Sequence, residues 1–425
     1  MAEQDDDKFQ EKIEEIEEIL KDIGMCTELN SIQCSAGSSK GDNYMSVIKR
    51  VVVEGVKEND EVFEKSLIVK RQVPNLSRRE LYRCDVAFCH EIKAYQYVVP
   101  ILNQHMEHTI FPECYYCGRD SEDEFIILED LLDAGYVLRC RMSPLNVKDI
   151  AAVMKEIARM HATSIYVKLT DPRGFDEMRE GLEEIVYCPE GRDFFKGILA
   201  SAIRQALVSL RQSNTDGTLT EAISAIQEMA PDLFDKIQGY VLTKDDFLNV
   251  VSHGEVRTNN LMFRDISEEE TQVKILDLQT MRYASPVFDI MHFVYTSTDR
   301  ENPENSIESI IAAYCKFLHD HTDKIFGAEH ADMAKLIKTK FSYETLLDQY
   351  KSFALYGLAI AMWLLPAITF DIDNIPDLDR IAENQTNPDE IKIDSSLTPL
   401  YHERLKQIVK EFLAAGYFAL PSSTS

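Results

Sequence analysis

The feature that most constrains this chain is a change of hydrophobic period about a third of the way along it. Before residue 135 the apolar residues come in short β-branched runs: "SVIKRVVVEG" from Ser46, "SLIVKRQVP" from Ser66 and "EFIILEDL" from Glu124. Gly, Ser, Asn and Pro bound these runs, as they bound strands. Beyond residue 135 the spacing turns helical: Val147, Ile150, Ala151, Met154, Ile157, Ala158 and His161 share one face. Strands grouped first and helices grouped after predict an α+β, bilobal chain. The expected parts are an amphipathic helix over 1–24, a small β-rich N-lobe over 25–133 and a large, mainly helical C-lobe over 134–425. The first helix carries the stripe Phe9, Ile13, Ile16, Ile19, Leu20 and Ile23, and Gly24 ends it.

Further helical stretches are expected within 190–240 and over 301–323, 328–362 and 398–415. Another helix has Val86, His90, Ala94 and Tyr97 in step, with Glu91 among them. His161 on its apolar face reads as a core histidine with its hydrogen bonds met. "FALYGLAIAMWLLPAITF", Phe353 to Phe370, carries no charge but is interrupted by Pro366, and it reads as a buried helix and not a membrane span. A net charge of −28 excludes a general nucleic-acid binder, which needs a basic surface. The nine cysteines lack a disulfide framework, and "MAEQDDDKFQEK" lacks a signal-peptide core, so reduced thiols in the cytoplasm are expected. Cys114 and Cys117 form a single CxxC, which reads as a strand or turn and not as a metal or redox site.

The polar motifs gain meaning from their order. A glycine-bearing turn comes first, then Lys70 at the end of a strand and Glu91 on a helix. "HGEVRTNNLMF" (His253 to Phe263) and "VKILDLQ" (Val273 to Gln279) follow, on a strand pair expected near 261–264 and 273–278. This is the order of parts in protein-kinase-like phosphotransferases. Such chemistry needs a lysine on the nucleotide phosphates, a carboxylate to hold that lysine, and hard oxygens for magnesium. It also needs a carboxylate to orient the accepting hydroxyl. Lys70, Glu91, Asn260, Asp277 and Glu255 are the candidates in that order.

From about residue 31 to 415 the chain resembles the ecdysteroid kinase-like family, in the choline kinase and aminoglycoside phosphotransferase branch of the protein-kinase-like fold. The resemblance is carried by "GDNYMSVIKRVVV", "LIVKRQVP", "FCHEIKAYQYVVPIL", "IILEDLLDAGY", "ARMHA", "HG…NNLMF" and "ILDLQ…SPVFDI". It implies ATP and Mg2+ as cofactors. Lys70, Glu91, Gly41 and Asn43 of the hairpin, and Glu129 of the hinge strand, would serve the nucleotide. Asn260 and Asp277 would hold the metal, and Glu255, Asn260 and Asp277 would form the catalytic set. Asp289 resembles the branch's buried aspartate, which supports the catalytic loop. The implied partner is a small alcohol, an ecdysteroid or other lipophilic or xenobiotic compound.

Two positions depart from the family pattern. Glu255 stands where the family has aspartate, and Arg257 stands where it has tryptophan. Two readings therefore remain open. One is an ATP-dependent alcohol kinase; the other is a catalytically impaired pseudokinase that binds a nucleotide or a lipophilic ligand. On the sequence alone, Glu255→Asp is expected to raise turnover, because the extra methylene displaces the carboxylate. A protein kinase is disfavoured by the missing DFG and APE segments.

Overall fold

The computed structural model describes residues 13–38, 45–120, 123–243, 247–370, 378–383 and 398–419. Gly41, Asn43 and Phe9 lie outside them. The first described element, α1 (Ile13–Asp22), buries Ile16, Ile19 and Leu20 against the sheet residues Val51, Val53, Leu67, Val69, Phe125 and Ile127. Ile23, expected on the same stripe, is instead exposed, because the helix has already ended and Gly24 turns the chain at φ +72°.

Five antiparallel strands follow: β1 (Glu28–Ala36), β2 (Ser46–Val56), β3 (Val62–Gln72), β4 (Cys114–Asp120) and β5 (Asp123–Glu129). Their order in the sheet is β1-β2-β3-β5-β4. The expected runs became β2, β3 and β5, and the register sets Lys70 between Ile48 and Ile126. Strand β1 had no counterpart in the sequence reading. Its "ELNSIQCSA" has no alternation of apolar residues, because it is an edge strand with most side chains in solvent. Cys114 and Cys117 lie on β4, where a register shift falls between Cys114 and Tyr116.

Between β3 and β4 the chain forms α2 (Leu76–Tyr82) and α3 (Cys84–Lys93), and α3 runs on into a π-helical turn over Ala94–Val98. That wider turn breaks the 3.6-residue period. It goes with Tyr97 being exposed while Ala94 and Tyr95 are buried. Of the expected face, His90 and Ala94 are buried and Val86 and Tyr97 are exposed.

The helical lobe is built on α4 (Val147–Thr170), α5 (Arg192–Ser213), α6 (Val287–Ser297), α7 (Ile307–Phe326), α8 (Ala354–Thr369) and α9 (Pro399–Ala415). The helix expected over 328–362 is in fact three: Ala331–Lys340, Tyr343–Ser352 and the start of α8. The uncharged segment is α8, and it is mostly buried. Among the described residues no single helix is long and apolar enough to cross a membrane. Arg141 caps the end of α8, donating to the carbonyl oxygens of Ala367, Ile368 and Phe370. Short strands carry the polar motifs on the same lobe: β6 (Val137–Leu138), β7 (Val250–Ser252), β8 (Leu261–Asp265), β9 (Thr271–Ile275) and β10 (Arg282–Ala284).

Helices α6 and α8 touch through Tyr295 and Gly357. A Cβ on Gly357 would stand 2.3 Å from the Tyr295 ring, so only glycine permits this approach. Gly357→Ala is expected to cost about 1–3 kcal/mol through overpacking. Urea unfolding measures this, and an unchanged midpoint would mean that the buried Tyr295 ring swings aside.

Candidate active site

Three elements far apart in sequence bring their charges together where the sheet meets the helical lobe. Lys70 on β3 donates from Nζ to Glu91 Oε1 and Oε2 on α3, at 2.8 and 2.6 Å. It also donates to Asp277 Oδ1, in the turn after β9, at 2.9 Å. The side chains are 5%, 1% and 18% exposed, so none of these charges could persist alone. Burial opposes the lysine's charge, but Asp277 and Glu91 overrule it and hold the ammonium above its ordinary value. Burial pushes the Glu91 carboxyl up. Asp277 is pulled down by Lys70 in spite of its own burial.

Asp277 does not end a strand, as the sequence suggested. Strand β9 stops at Ile275, and Asp277 takes a left-handed conformation with φ 65° and ψ 73°. That is an uncommon place for a side-chain-bearing residue. It turns the carboxylate toward Lys70 on one oxygen and Gln279 Nε2 on the other, the latter at 3.2 Å.

The loop after β7 carries the remaining candidates, and a buried carboxylate shapes it. Asp289, in the first turn of α6 and wholly buried, accepts the backbone N–H groups of His253 and Gly254, each at 2.8 Å. His161 Nε2 donates to the same carboxylate at 3.2 Å, and its Nδ1 is bonded to the Tyr314 hydroxyl at 2.7 Å. His161 is thus the satisfied core histidine that its position suggested. Burial alone would raise the Asp289 carboxyl; its hydrogen bond with His161 and the nearby donors bring it down to about 2. Gly254 has φ +88°, and a Cβ there would meet the Thr280 carbonyl oxygen at 2.1 Å. His253 Nε2 donates to the Leu276 carbonyl at 2.8 Å, joining this loop to the chain just before Asp277.

Asn260 is set by two further bonds. Its Nδ2 donates to the Glu255 carbonyl at 3.0 Å, and its own carbonyl accepts from Leu276 N at 2.8 Å. With the amide nitrogen so engaged, Oδ1 is left as an oxygen donor, and Asp277 supplies carboxylate oxygens. This is a hard-oxygen pair of the kind magnesium takes alongside phosphate oxygens. Glu255 and Arg257, which the sequence presented as two separate departures, are one contact: Arg257 Nε donates to Glu255 Oε1 at 3.0 Å. Their side chains are only 16% and 11% exposed.

Glu129 is not brought to this cluster. Its carboxylate accepts the Glu113 N–H at 3.2 Å, across the start of β4. Its neighbour Asp130, which the sequence reading passed over, ties the sheet together by accepting from Arg50 Nε at 2.6 Å and Ser66 Oγ at 2.7 Å.

A cavity of about 330 Å³ opens beside the charged groups, and Glu255, Arg257 and Asp277 are among the residues that line it. Its walls are mainly apolar, among them Phe194, Phe195 and Ile198 of α5 and Ile360 and Trp363 of α8. Arg282 lies at its edge, held by Glu184 at 3.1 Å and by the Tyr356 hydroxyl at 2.8 Å. No motif announced these wall residues, because they come from helices far apart in the chain.

The family model of the ecdysteroid kinase-like family matches residues 40–326, which include Lys70, Glu91, Glu255, Asn260, Asp277 and Asp289. The chain belongs to the ecdysteroid kinase-like family. Its small antiparallel N-lobe and helical C-lobe are the α+β arrangement expected from the sequence. No curated protein sequence matches it. Solved structures similar to it include an ethanolamine kinase from Plasmodium vivax, at 11% identity over 88% of this chain and 84% of that one, with a TM-score of 0.39. A point mutant of aminoglycoside 2'-phosphotransferase IIIa in complex with GDP is similar at 9% identity over 94% and 98% of the two chains, TM-score 0.45. A GDP and kanamycin complex of an aminoglycoside phosphotransferase is similar at 9% identity over 79% and 98%, TM-score 0.37.

In this family member the depressed Asp289 carboxyl carries a stability consequence. A carboxyl whose folded value lies below its unfolded one contributes stability fully above the ordinary value of 3.8, and loses it as pH falls through about 2. Asp289→Asn should therefore lower stability at pH 7 by on the order of 2 kcal/mol. Chemical denaturation across pH should show the gap from wild type narrowing from about pH 4 to about pH 2. A gap that does not change with pH would assign the loss to packing.

Proposed function

We propose that this protein is an ATP-dependent small-molecule kinase that phosphorylates a hydroxyl of a lipophilic alcohol, of ecdysteroid-like or xenobiotic type. The observation that carries the reading is the meeting of the Lys70–Glu91–Asp277 cluster with an apolar cavity at Glu255. Lys70, steadied by Glu91, would take the nucleotide's phosphates. Asn260 Oδ1 and Asp277 would hold Mg2+, which when bound supplies charge neutralisation at the phosphates. Glu255 has Oε1 on Arg257 and, among the described residues, no partner on Oε2; that oxygen would orient the acceptor hydroxyl and receive its proton. The cavity volume suits a compact ring system, and its mainly apolar walls suit that ring's apolar body. A strongly charged acceptor is disfavoured by those apolar walls.

A cytoplasmic setting belongs to the same reading and is supported by nine cysteines, none paired in a disulfide. So does a division of the chain into a terminal helix, an N-lobe to residue 133 and a C-lobe beyond.

Trp363 is the protein's one tryptophan and lines the cavity, so its emission reports occupancy directly. Titration with an ecdysteroid should shift that emission, and added Mg-ATP should yield the phosphorylated alcohol. Asp277→Ala should leave the emission change and remove magnesium-dependent ATP binding, read by calorimetry. Transfer to choline or an aminoglycoside, with no emission response to any apolar alcohol, would overturn the lipophilic acceptor. Emission change and Mg-ATP binding without transfer to any alcohol would instead favour the pseudokinase.

A further inference from the structure

The contact between Glu255 and Arg257 asks for an explanation beyond charge pairing. Arg257 spends Nε on Glu255 Oε1. Among the described residues no hydrogen bond is made by either Nη, and neither is buried without a partner, so in a side chain only 11% exposed both nitrogens reach open space. The group lines the cavity, as do Asp277 and Glu255. The guanidinium is thus held through Nε, with two nitrogens left to meet a ligand there. That fork matches the oxygens of a phosphoryl group.

Resting on the kinase reading above, we propose that Arg257 is a catalytic residue that grips the phosphoryl group in transfer, and that Glu255 doubles as its positioning residue. In the step, the acceptor's hydroxyl oxygen bonds to the γ-phosphorus while the bond from phosphorus to the β,γ-bridging oxygen breaks. The electron pair of that bond leaves with ADP. The hydroxyl proton passes to Glu255 Oε2 and from there to solvent. The outer edge of Arg257 faces the oxygens of the moving group, where charge is redistributed and a fixed donor is worth most. Glu255 thus serves both partners, one oxygen for the arginine and one for the alcohol.

This arrangement reverses the sequence-based expectation for Glu255→Asp. Shortening the side chain by one methylene withdraws the carboxylate by about 1.5 Å, which opens the 3.0 Å contact and releases Arg257.

The test compares Mg-ADP with Mg-ADP plus aluminium fluoride, a mimic of the phosphoryl group in flight, by calorimetry on the full chain. It needs no knowledge of the acceptor. Arg257→Gln should bind Mg-ADP within about twofold of wild type and the aluminium fluoride complex roughly a hundredfold more weakly. Arg257→Lys should recover part of that loss, and Glu255→Asp should show a smaller loss of the same kind. A circular dichroism melt checks folding, and the lysine variant carries the test should glutamine unfold the loop. Wild-type protein that does not bind Mg-ADP overturns the kinase reading itself. Wild-type binding with equal effects of Arg257→Gln and Arg257→Lys on both ligands, or on neither, overturns this inference alone.

Discussion

The bonds from one ammonium group to two carboxylates hold the working parts of this protein in place. Lys70, Glu91 and Asp277 come from a strand, a helix and a turn, Asp277 lying 207 residues from Lys70, and each is costly to bury without the others. The sheet and the helical lobe therefore meet in a defined way only when all three charges are satisfied. The mutual pairing keeps the three charges assembled. Asp289 plays the corresponding part within the helical lobe, where one carboxylate fixes two successive backbone amides and so the direction in which the Glu255 loop leaves β7.

Much of this was legible in the sequence, for local reasons. Strands β2, β3 and β5 were readable because β-branched runs between turn residues have few other uses, and Lys70 was readable because it closes such a run. Asn260, Asp277 and Glu255 were visible through their spacing. What the sequence hid was anything decided by distant partners. The polar edge strand β1 has no apolar signature. The π-turn at Ala94–Val98 breaks the period of its helix, and no apolar spacing records it. The left-handed Asp277 follows from the bonds it makes, and the cavity walls are assembled from α5 and α8, whose spacing says only that they are core helices. Glu255 and Arg257 stood in plain view as departures, but nothing in their order showed that they touch.

The site also has a polarity boundary that organises its chemistry. On one side are hard oxygens and an ammonium; on the other are aromatic and aliphatic walls. The Glu255–Arg257 contact lines the same cavity as those walls, and its side chains are mostly buried. In such a place the local dielectric is low, and fixed charges act more strongly than they would in water. An acceptor held by its apolar body would bring its hydroxyl to this boundary without having to carry charge of its own.

The backbone at Asp277 sets a tension between durability and use. A φ of 65° suits glycine, and aspartate tolerates it at a cost of the order of 1 kcal/mol or more. Replacing Asp277 by glycine would relieve that strain while deleting the carboxylate on which the cluster turns. The backbone gain and the loss of a partner for the buried Lys70 ammonium therefore pull in opposite directions at this one position.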